Sequence, residues 1–432
     1  MKPVALPPRA EAIATVTLGA PLMVPMWHPR VTVICLSALV VLGGYQATSG
    51  ALRASKSPLG WAWAILLFQA LVATAVSSFP SQSVTRLACI IFGSIVLRAM
   101  ILGVRTKQDC EAVAWLYVVG GGCVAVAGLI GTEWPRPWSG DKISSIAVFA
   151  LRFPTHLSAI GAEGGANPNA VAAATLFFLP LVAFLLYRTV SNLVITRHQA
   201  SRITLALEGA LAGAVLSGLS FVLVLTQSRS AWLGLAAVAT AVLWWAWKSS
   251  FARTVIVCSV VAAVVVGGSA IFRDTSNPAA ANGLVPATTR PQLWARALHY
   301  IWEDPITGIG LDTFRIKAQE TSPPFEGGNA RDVVHVHNVF LQTALDLGIP
   351  GLIAYLVLLW KVATMWLSVD RLGSSSDRFL AVGVAGNLLG VMVFGLYDAV
   401  ALGTKLSLCF WWNLGLLAAL HQRVVLRGEM PS

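Results

Sequence analysis

Charged residues are scarce in this sequence. Asp, Glu, Lys and Arg make up 11% of the 432 residues, whereas 56% of the residues are apolar. An average soluble domain carries about 25% charged residues. The mean hydropathy is +0.73. This composition excludes a disordered chain, a collagen-like chain and an ordinary soluble globule, and it predicts an integral membrane protein.

Acidic residues are especially few, with 19 Asp and Glu against 30 Lys and Arg, which gives a formal net charge of +11. A nucleic-acid-binding protein would need its basic residues clustered on one face of a soluble module. In a protein with many membrane spans, basic residues instead collect in cytoplasmic loops. We therefore expect no nucleic-acid partner.

Cysteine is also sparse, with six residues in the chain. All but Cys110 fall inside apolar runs, and no spacing resembles a metal site or a disulfide framework. We interpret them as small apolar fillers. The sequence likewise contains no internal repeat, heptad pattern or low-complexity tract, which excludes repeat architectures and coiled coils.

Long apolar runs occupy most of the chain instead. A membrane-spanning helix needs about 20 mostly apolar residues. We predict twelve spans, at about residues 13–27, 31–48, 60–78, 87–104, 112–131, 168–187, 203–225, 231–247, 252–272, 336–369, 378–400 and 403–421. The first run is short and contains Pro21 and Pro25. No small-residue cleavage site precedes His28, so we expect a retained helix and not a signal peptide.

These runs predict an all-α, polytopic membrane protein of about twelve transmembrane helices. Residues 1–272 would hold the first nine helices, residues 273–335 a large loop with an amphipathic helix, and residues 336–432 the last three helices and a tail. Lys and Arg are enriched on the cytoplasmic side of a membrane. Fifteen of them fall in short segments assigned to the inside and four in short outer connections. We therefore expect both termini in the cytoplasm and the large loop on the outer face.

The tenth run is too long for one plain span and contains Gly348-Ile349-Pro350-Gly351. Proline removes a backbone donor and glycine permits sharp turns, so this run predicts a broken helix. Irregular backbone at membrane depth is tolerated only where it is buried in protein or lines a cavity. The region before Gly348 is therefore a candidate site.

Two arginines on the outer side need an explanation. Arg229 follows a short polar cluster in a tight connection between two apolar spans, and Arg290 comes just before an amphipathic helix predicted from Gln292 to about Trp302. Either arginine could reach lipid headgroups or cap a solvated helix end. Alternatively, the two could bind an anion in a hydrated pocket.

His337 lies at the mouth of the broken span, where an ionisable residue is a candidate for function. Histidine can accept a proton near neutral pH, as a general base must. His335 and His337 could instead bind a metal, although the sequence offers no helical i, i+4 histidine pair and only a loose supply of carboxylates. A purely structural histidine is the third possibility. We favour the general base.

Two short motifs include these residues. In the first motif, three residues separate an Arg from a Leu. In the second motif, a His is followed directly by Asn, Ser or Gln. Nine further residues then precede a Gly, and two more residues precede a Gly, Thr or Tyr. They fall here on Arg229, Leu233, His337, Asn338, Gly348 and Gly351. A chain with both motifs and about twelve spans resembles the bacterial O-antigen ligases. That family lies within a wider set of polytopic enzymes that also includes O-antigen polymerases and the O-oligosaccharyltransferases of protein glycosylation.

The resemblance implies a glycosyltransferase of the bacterial inner membrane with an active site facing the periplasm. Such a ligase moves an O-antigen from undecaprenyl diphosphate to a sugar hydroxyl of lipid A–core, inverts the anomeric centre, and uses no metal or other cofactor. The expected partners are therefore these two lipid-anchored glycans and the bilayer. His337 matches the family's catalytic histidine, and Arg229 and Arg290 match arginines that hold the diphosphate.

Other functions remain open from the sequence. A polymerase or a protein O-oligosaccharyltransferase would need the same donor chemistry and would differ only in its acceptor. A transporter is less favoured, because the chain has no matched halves and its polar chemistry lies in outer loops. Asp398, predicted near the outer end of its span, could orient His337 or pair with an arginine. We count Asn338, Gly348, Gly351 and Asp398 as supporting residues.

Overall fold

The computed structural model describes residues 41, 58–132, 134, 166–196, 198–246, 290–320 and 335–428. These residues form an all-helical structure without a β-strand. The predicted spans at 13–27 and 252–272 lie outside the described residues, as do the span at 31–48 apart from residue 41 and most of the connections at 132–167 and 273–335. The count of twelve spans and the domain boundaries therefore stay predictions.

Twelve helices are described, and we number them in chain order. They are α1 (Gly60–Ala75), α2 (Pro80–Gly103), α3 (Lys107–Gly131), α4 (Pro168–Leu176), α5 (Leu179–Ile195), α6 (Gln199–Thr226), α7 (Arg229–Ala246), α8 (Arg290–Glu303), α9 (Phe314–Glu320), α10 (Val339–Leu372), α11 (Ser375–Phe394) and α12 (Ser407–Gly428).

Six of the described helical segments are long and apolar enough to cross a membrane. They are α2, α3, the consecutive pair α4 and α5, α6, α10 and α11. Helices α1, α7 and α12 also form where the sequence predicts spans, although they are not among these six. The prediction of an all-helical chain with several candidate membrane spans is thus confirmed for the described part of the chain.

Local sequence signals set where several helices begin. Thr106 and Asp109 form a reciprocal capping box at the start of α3, and Ser374 and Asp377 form another at the start of α11. Each box satisfies backbone N–H groups that the first helical turn leaves unpaired. Asn167 caps α4 through its side chain, and Pro168 follows at the first helical position, where proline costs no hydrogen bond.

Helix α12 lies at the centre of the bundle, with almost every side chain buried. Its Trp411 and Trp412 are fully enclosed. Helix α2 packs closely along it because Gly93 leaves room for the Trp411 ring, where a methyl group would overlap that ring. Small residues at contacts of this kind let apolar helices approach within a membrane.

The break predicted in α10 is present at Gly348, whose φ of 71° and ψ of 177° interrupt the helix. A segment at residues 305–310 fits into this break. Ile349 N donates a 2.7 Å hydrogen bond to Pro305 O, and Ile309 N donates a 2.9 Å bond to Leu345 O. The segment therefore pairs backbone groups that a kinked helix would otherwise leave unsatisfied.

Three predicted boundaries differ from the structure near the candidate site. Helix α11 ends at Phe394, so Asp398 lies in the connection at 395–406 and not within a span. Arg290 and Arg229 are the first residues of α8 and α7, whereas the sequence suggested positions just outside those helices. The two arginines therefore lie at helix ends and Asp398 lies in a connection between two helices.

Candidate active site

One carboxylate joins the two histidines that precede α10. The Oδ1 atom of Asp398 lies 2.7 Å from His335 Nε2 and 3.2 Å from His337 Nδ1. The two imidazole rings lie 4.2 Å apart between centroids. His337 and Asp398 are buried, while the His335 side chain keeps 27% of its surface exposed. The result is a compact cluster with its most buried histidine at the motif position.

Side chains from two helices hold the backbone between these histidines. Val336 N donates a 3.0 Å hydrogen bond to Gln342 Oε1, and Gln342 Nε2 in turn donates a 2.8 Å bond to Asp346 Oδ1. Trp294 Nε1, from α8, donates a 3.1 Å bond to Val336 O. Both backbone groups of Val336 are thus paired, which fixes the backbone between the two histidines.

Asn338 connects the histidine segment to the connection that carries Asp398. Its Oδ1 caps α10 by accepting 3.0 Å hydrogen bonds from Phe340 N and Leu341 N. Its Nδ2 donates a 3.2 Å bond to Leu396 O, and Val339 N donates a 2.7 Å bond to Gly395 O. The motif asparagine therefore has an architectural role, which is to bring Asp398 beside His337.

The glycines of the second motif also act through the backbone. Gly348 requires a left-handed φ, and a methyl group there would overlap the backbone at Ile306. Gly351 packs against Leu347 and Gln69, and the Gln69 amide donates to the backbone carbonyl of Ile306. The two glycines therefore shape the break that receives residues 305–310, and they supply no chemical group to the site.

Burial lowers the pKa of His337 below its ordinary value. The hydrogen bond and charge of Asp398 act in the opposite direction, whereas His335 and Arg290 add to the lowering. The lowered pKa favours the unprotonated imidazole at neutral pH, and this is the form that can accept a proton. His337 also has a φ of 55°, an uncommon backbone conformation for a residue other than glycine.

Burial alone would raise the pKa of Asp398, but its hydrogen bonds to His335 and His337 outweigh that effect and hold the pKa well below the usual range. The carboxylate is thus ionised. Oδ1 also accepts a 2.8 Å hydrogen bond from Ala399 N. Oδ2 is buried and has no hydrogen-bond partner among the described residues.

Two arginines contribute positive charge near this cluster. Burial lowers the pKa of Arg290, the charges of Asp398 and Tyr397 raise it, and the charge of Arg229 lowers it. Arg290 is therefore electrostatically coupled to both Arg229 and Asp398. Its Nε atom is buried and has no hydrogen-bond partner within the described part of the chain. The same is true of the Oγ atom of Ser228, which precedes Arg229.

The cluster also contains the atoms that a metal ion would need. Ligating atoms of His335, His337 and Asp398 lie within 4.8 Å of one another. Two imidazoles and one carboxylate are ligands that zinc and related ions accept. Arg290 also acts electrostatically on Asp398 and adds positive charge on that side of the cluster. The geometry fits an ionised carboxylate shared by two imidazoles.

The structure places Asp398 beside His337, and the electrostatic effects place Arg290 near both of them and Arg229 near Arg290. Asn338, Gly348 and Gly351 support this arrangement through the backbone. Sequence reasoning missed the part played by His335. Its spacing from His337 was a usable signal, since alternate residues of an extended segment lie on the same side.

Comparison with known proteins identifies a related family. A family model described as O-antigen ligase matches residues 212–356, a segment that runs from α6 into α10 and includes Arg229, Arg290 and His337. Proteins of this family are membrane enzymes that resemble glycosyltransferases, and they include ligases and polymerases. The match supports an O-antigen ligase family assignment and confirms the resemblance inferred from the two motifs. A search of curated proteins finds no match.

Proposed function

We propose that the protein is an O-antigen ligase, which transfers a glycan from undecaprenyl diphosphate to a sugar hydroxyl of lipid A–core on the periplasmic face of the bacterial inner membrane. The observation that carries this proposal is the buried His337 in contact with Asp398, with Arg290 acting electrostatically on both residues and Arg229 acting on Arg290. His337 can accept a proton, and Arg229 and Arg290 can bind a diphosphate.

In the proposed reaction, the two arginines bind the diphosphate of the donor. Arginine forms planar, bidentate hydrogen bonds with phosphate oxygens. The buried Nε of Arg290 and the adjacent charge of Arg229 supply donors and positive charge for such an anion. As the bond between the anomeric carbon and the diphosphate oxygen breaks, its electron pair passes to the diphosphate. The two guanidinium groups stabilise that developing charge.

In the proposed reaction, His337 accepts the proton of the acceptor hydroxyl. Asp398 Oδ1 accepts a hydrogen bond from His337 Nδ1, which leaves Nε2 as the unprotonated nitrogen. The acceptor hydroxyl attacks the anomeric carbon from the face opposite the diphosphate, and its proton passes to Nε2. This displacement inverts the anomeric centre. A positioned general base contributes about 10²–10⁴-fold to such a rate.

The central experiment compares acceptors. Purified protein in lipid nanodiscs receives a carrier-linked glycan together with lipid A–core, a second carrier-linked unit or a pilin. We expect extended lipid A–core. Extension of the carrier-linked unit would identify a polymerase, extension of the pilin a protein O-oligosaccharyltransferase, and absence of any covalent product would refute glycosyl transfer.

The base assignment is tested with the variant His337→Ala, which we expect to fold normally and to lose glycan transfer. His299→Gln is the matched control, because His299 is exposed on α8 and contacts Glu303 instead of the site. Normal transfer by the His337 variant would disprove the assignment.

The orientation can be tested with single cysteines at two exposed positions, in a chain whose native cysteines are replaced. Gln292 lies in α8 near the site, and Gln199 lies at the far end of α6. A membrane-impermeant maleimide applied to intact spheroplasts should label Gln292→Cys and should label Gln199→Cys only after permeabilisation. The reverse pattern would place the site in the cytoplasm.

A further inference from the structure

Asp398 makes its shorter contact with the histidine outside the family motif. His335 Nε2 lies 2.7 Å from Asp398 Oδ1, whereas His337 Nδ1 lies 3.2 Å from the same atom. An ionised carboxylate only accepts hydrogen bonds. Both histidines must therefore donate to Oδ1, and His335 is the closer donor.

The backbone around the cluster is fixed independently of this contact. Trp294 and Gln342 hold Val336, while Asn338 holds the connection at Leu396. The orientation of the Asp398 carboxylate, in contrast, depends on the groups that donate hydrogen bonds to it. Apart from the two histidines, its described hydrogen bonds comprise only the one from the adjacent Ala399 N.

A competing partner for the carboxylate lies nearby. Arg290 is electrostatically coupled to Asp398, and its buried Nε has no hydrogen-bond partner among the described residues. Asp398 Oδ2 is buried and equally unpartnered within that part of the chain. A rotated Asp398 could therefore pair with Arg290, which would remove the carboxylate from His337 and a donor from the diphosphate site.

We propose that His335 is a positioning residue that keeps Asp398 on His337 and away from Arg290 by donating its Nε2–H to Oδ1. This inference rests on the proposed function, because it assumes that His337 is the base and that Arg290 binds the donor diphosphate. Neither a bond to substrate nor a proton transfer is required of His335.

Two substitutions separate this role from the alternatives. In His335→Gln the amide nitrogen takes the place of Nε2 and can still donate, but it cannot carry a proton as an imidazole does. In His335→Ala the donor is lost. We expect His335→Gln to keep most of the wild-type kcat, and His335→Ala to lose about 10- to 100-fold in kcat with a raised KM for the donor. His299→Gln is the control for loss of a histidine.

The pH dependence of kcat is a second measurement, and general damage to the fold would not shift it. The groups that act on His337 are His335 beside it, Asp398 from the 395–406 connection and Arg290 from α8. His335 itself lowers the pKa of His337, so both substitutions remove that effect. In His335→Gln the contact with Asp398 stays, and the acidic limb of the kcat profile should remain at or slightly above its wild-type pH. If Asp398 rotates away in His335→Ala, His337 also loses the hydrogen bond that is the largest effect raising its pKa, and the limb should then move to lower pH.

A double variant tests whether His335 acts through Asp398. Once Asp398→Asn has removed the carboxylate, adding His335→Ala should cause little further loss of kcat, so the two effects should be strongly non-additive. Multiplicative losses would overturn the proposal. So would wild-type kinetics in His335→Ala, or equal inactivity of the Gln and Ala variants, which would indicate a proton carrier or a cation ligand.

These results can be distinguished from failure of the proposed function. If the wild type extends a different acceptor, the same variants are measured with that acceptor. If the wild type transfers no glycan at all, the hydrogen bond itself is measured by nuclear magnetic resonance of 15N-labelled histidine. The low-field Nδ1 proton of His337 should persist in His335→Gln and disappear in His335→Ala, and its persistence in both would overturn the proposal.

Discussion

Trp294 Nε1 donates a 3.1 Å hydrogen bond to the backbone carbonyl of Val336, the residue between the two histidines of the site. The amphipathic helix α8 thus contributes directly to the position of the proposed base.

Replacing Trp294 by Phe should therefore slow transfer without unfolding the protein. The loss of one hydrogen bond of about 1 kcal/mol predicts a decrease in kcat of roughly three- to tenfold. Trp302→Phe is the matched control, because Trp302 lies on the same helix with 86% of its surface exposed. Initial rates and thermal unfolding of both variants would check this, and equal rates in the two would contradict it.

Gly348→Ala should destabilise the fold around the break in α10. An alanine at φ 71° adopts a left-handed conformation that costs about 1–2 kcal/mol, and its methyl group would also overlap the backbone at Ile306. The thermal unfolding midpoint should fall by several degrees, and transfer activity should fall with it.

Gly209→Ala provides the comparison for this substitution. Gly209 lies inside α6, and a methyl group there would come no closer than 3.7 Å to Thr189. Because alanine is favoured over glycine within a helix by roughly 0.5–1 kcal/mol, the midpoint of this variant should stay the same or rise. A Gly348→Ala variant as stable as Gly209→Ala would refute the structural role of Gly348.

Much of the fold could be predicted because membrane helices leave a strong signal in composition. The break in α10 was also predictable, since Gly348 and Pro350 disfavour a continuous helix through their own backbone chemistry. The segment that fills the break was not. Its contacts join residues about forty positions apart, such as Pro305 and Ile349, and nothing local in either segment specifies that pairing.

The candidate active site was likewise only partly predictable from the sequence. His337, Arg229 and Arg290 could be found because motifs and unusual outer charges mark them individually. The contacts that both histidines make with Asp398 could not be predicted. They depend on where α11 ends and on the hydrogen bond by which Asn338 links the following connection to α10. The sequence suggested that Asp398 could orient His337, but the closer contact of His335 required coordinates.

Replacing either arginine should mainly weaken use of the donor. Hydrogen bonds to charged groups contribute about 1.5–3 kcal/mol, so Arg290→Ala and Arg229→Ala should each lower kcat/KM for the carrier-linked glycan by roughly 10- to 100-fold. The Lys variants should recover part of that loss, because they restore charge without the bidentate geometry. Arg315→Ala, at an exposed position, should behave as the wild type. Unchanged donor kinetics in both Ala variants would exclude the diphosphate role.

Transfer should continue after treatment with a chelator. The proposed mechanism assigns the stabilisation of the diphosphate to Arg229 and Arg290, so EDTA followed by desalting should leave kcat within about twofold of the untreated protein. The histidine cluster makes this a demanding test, because three ligating atoms lie within 4.8 Å of one another. Activity lost in EDTA and restored by a divalent ion would show that the cluster holds a metal.

Asp398→Asn should change both the rate and its pH dependence. The carboxylate raises the pKa of His337 against the effect of burial, so its removal should lower that pKa further. A base with a lower pKa stays unprotonated to more acidic pH, and the acidic limb of the kcat profile should therefore move to lower pH. At neutral pH, kcat should fall towards the roughly 10²–10⁴-fold that a general base contributes, since the ring loses the acceptor that orients it. Asp304→Asn, at a largely exposed carboxylate paired with Lys317, is the control. A limb that moves to higher pH, or a rate equal to that of the control, would show that Asp398 does not act on His337.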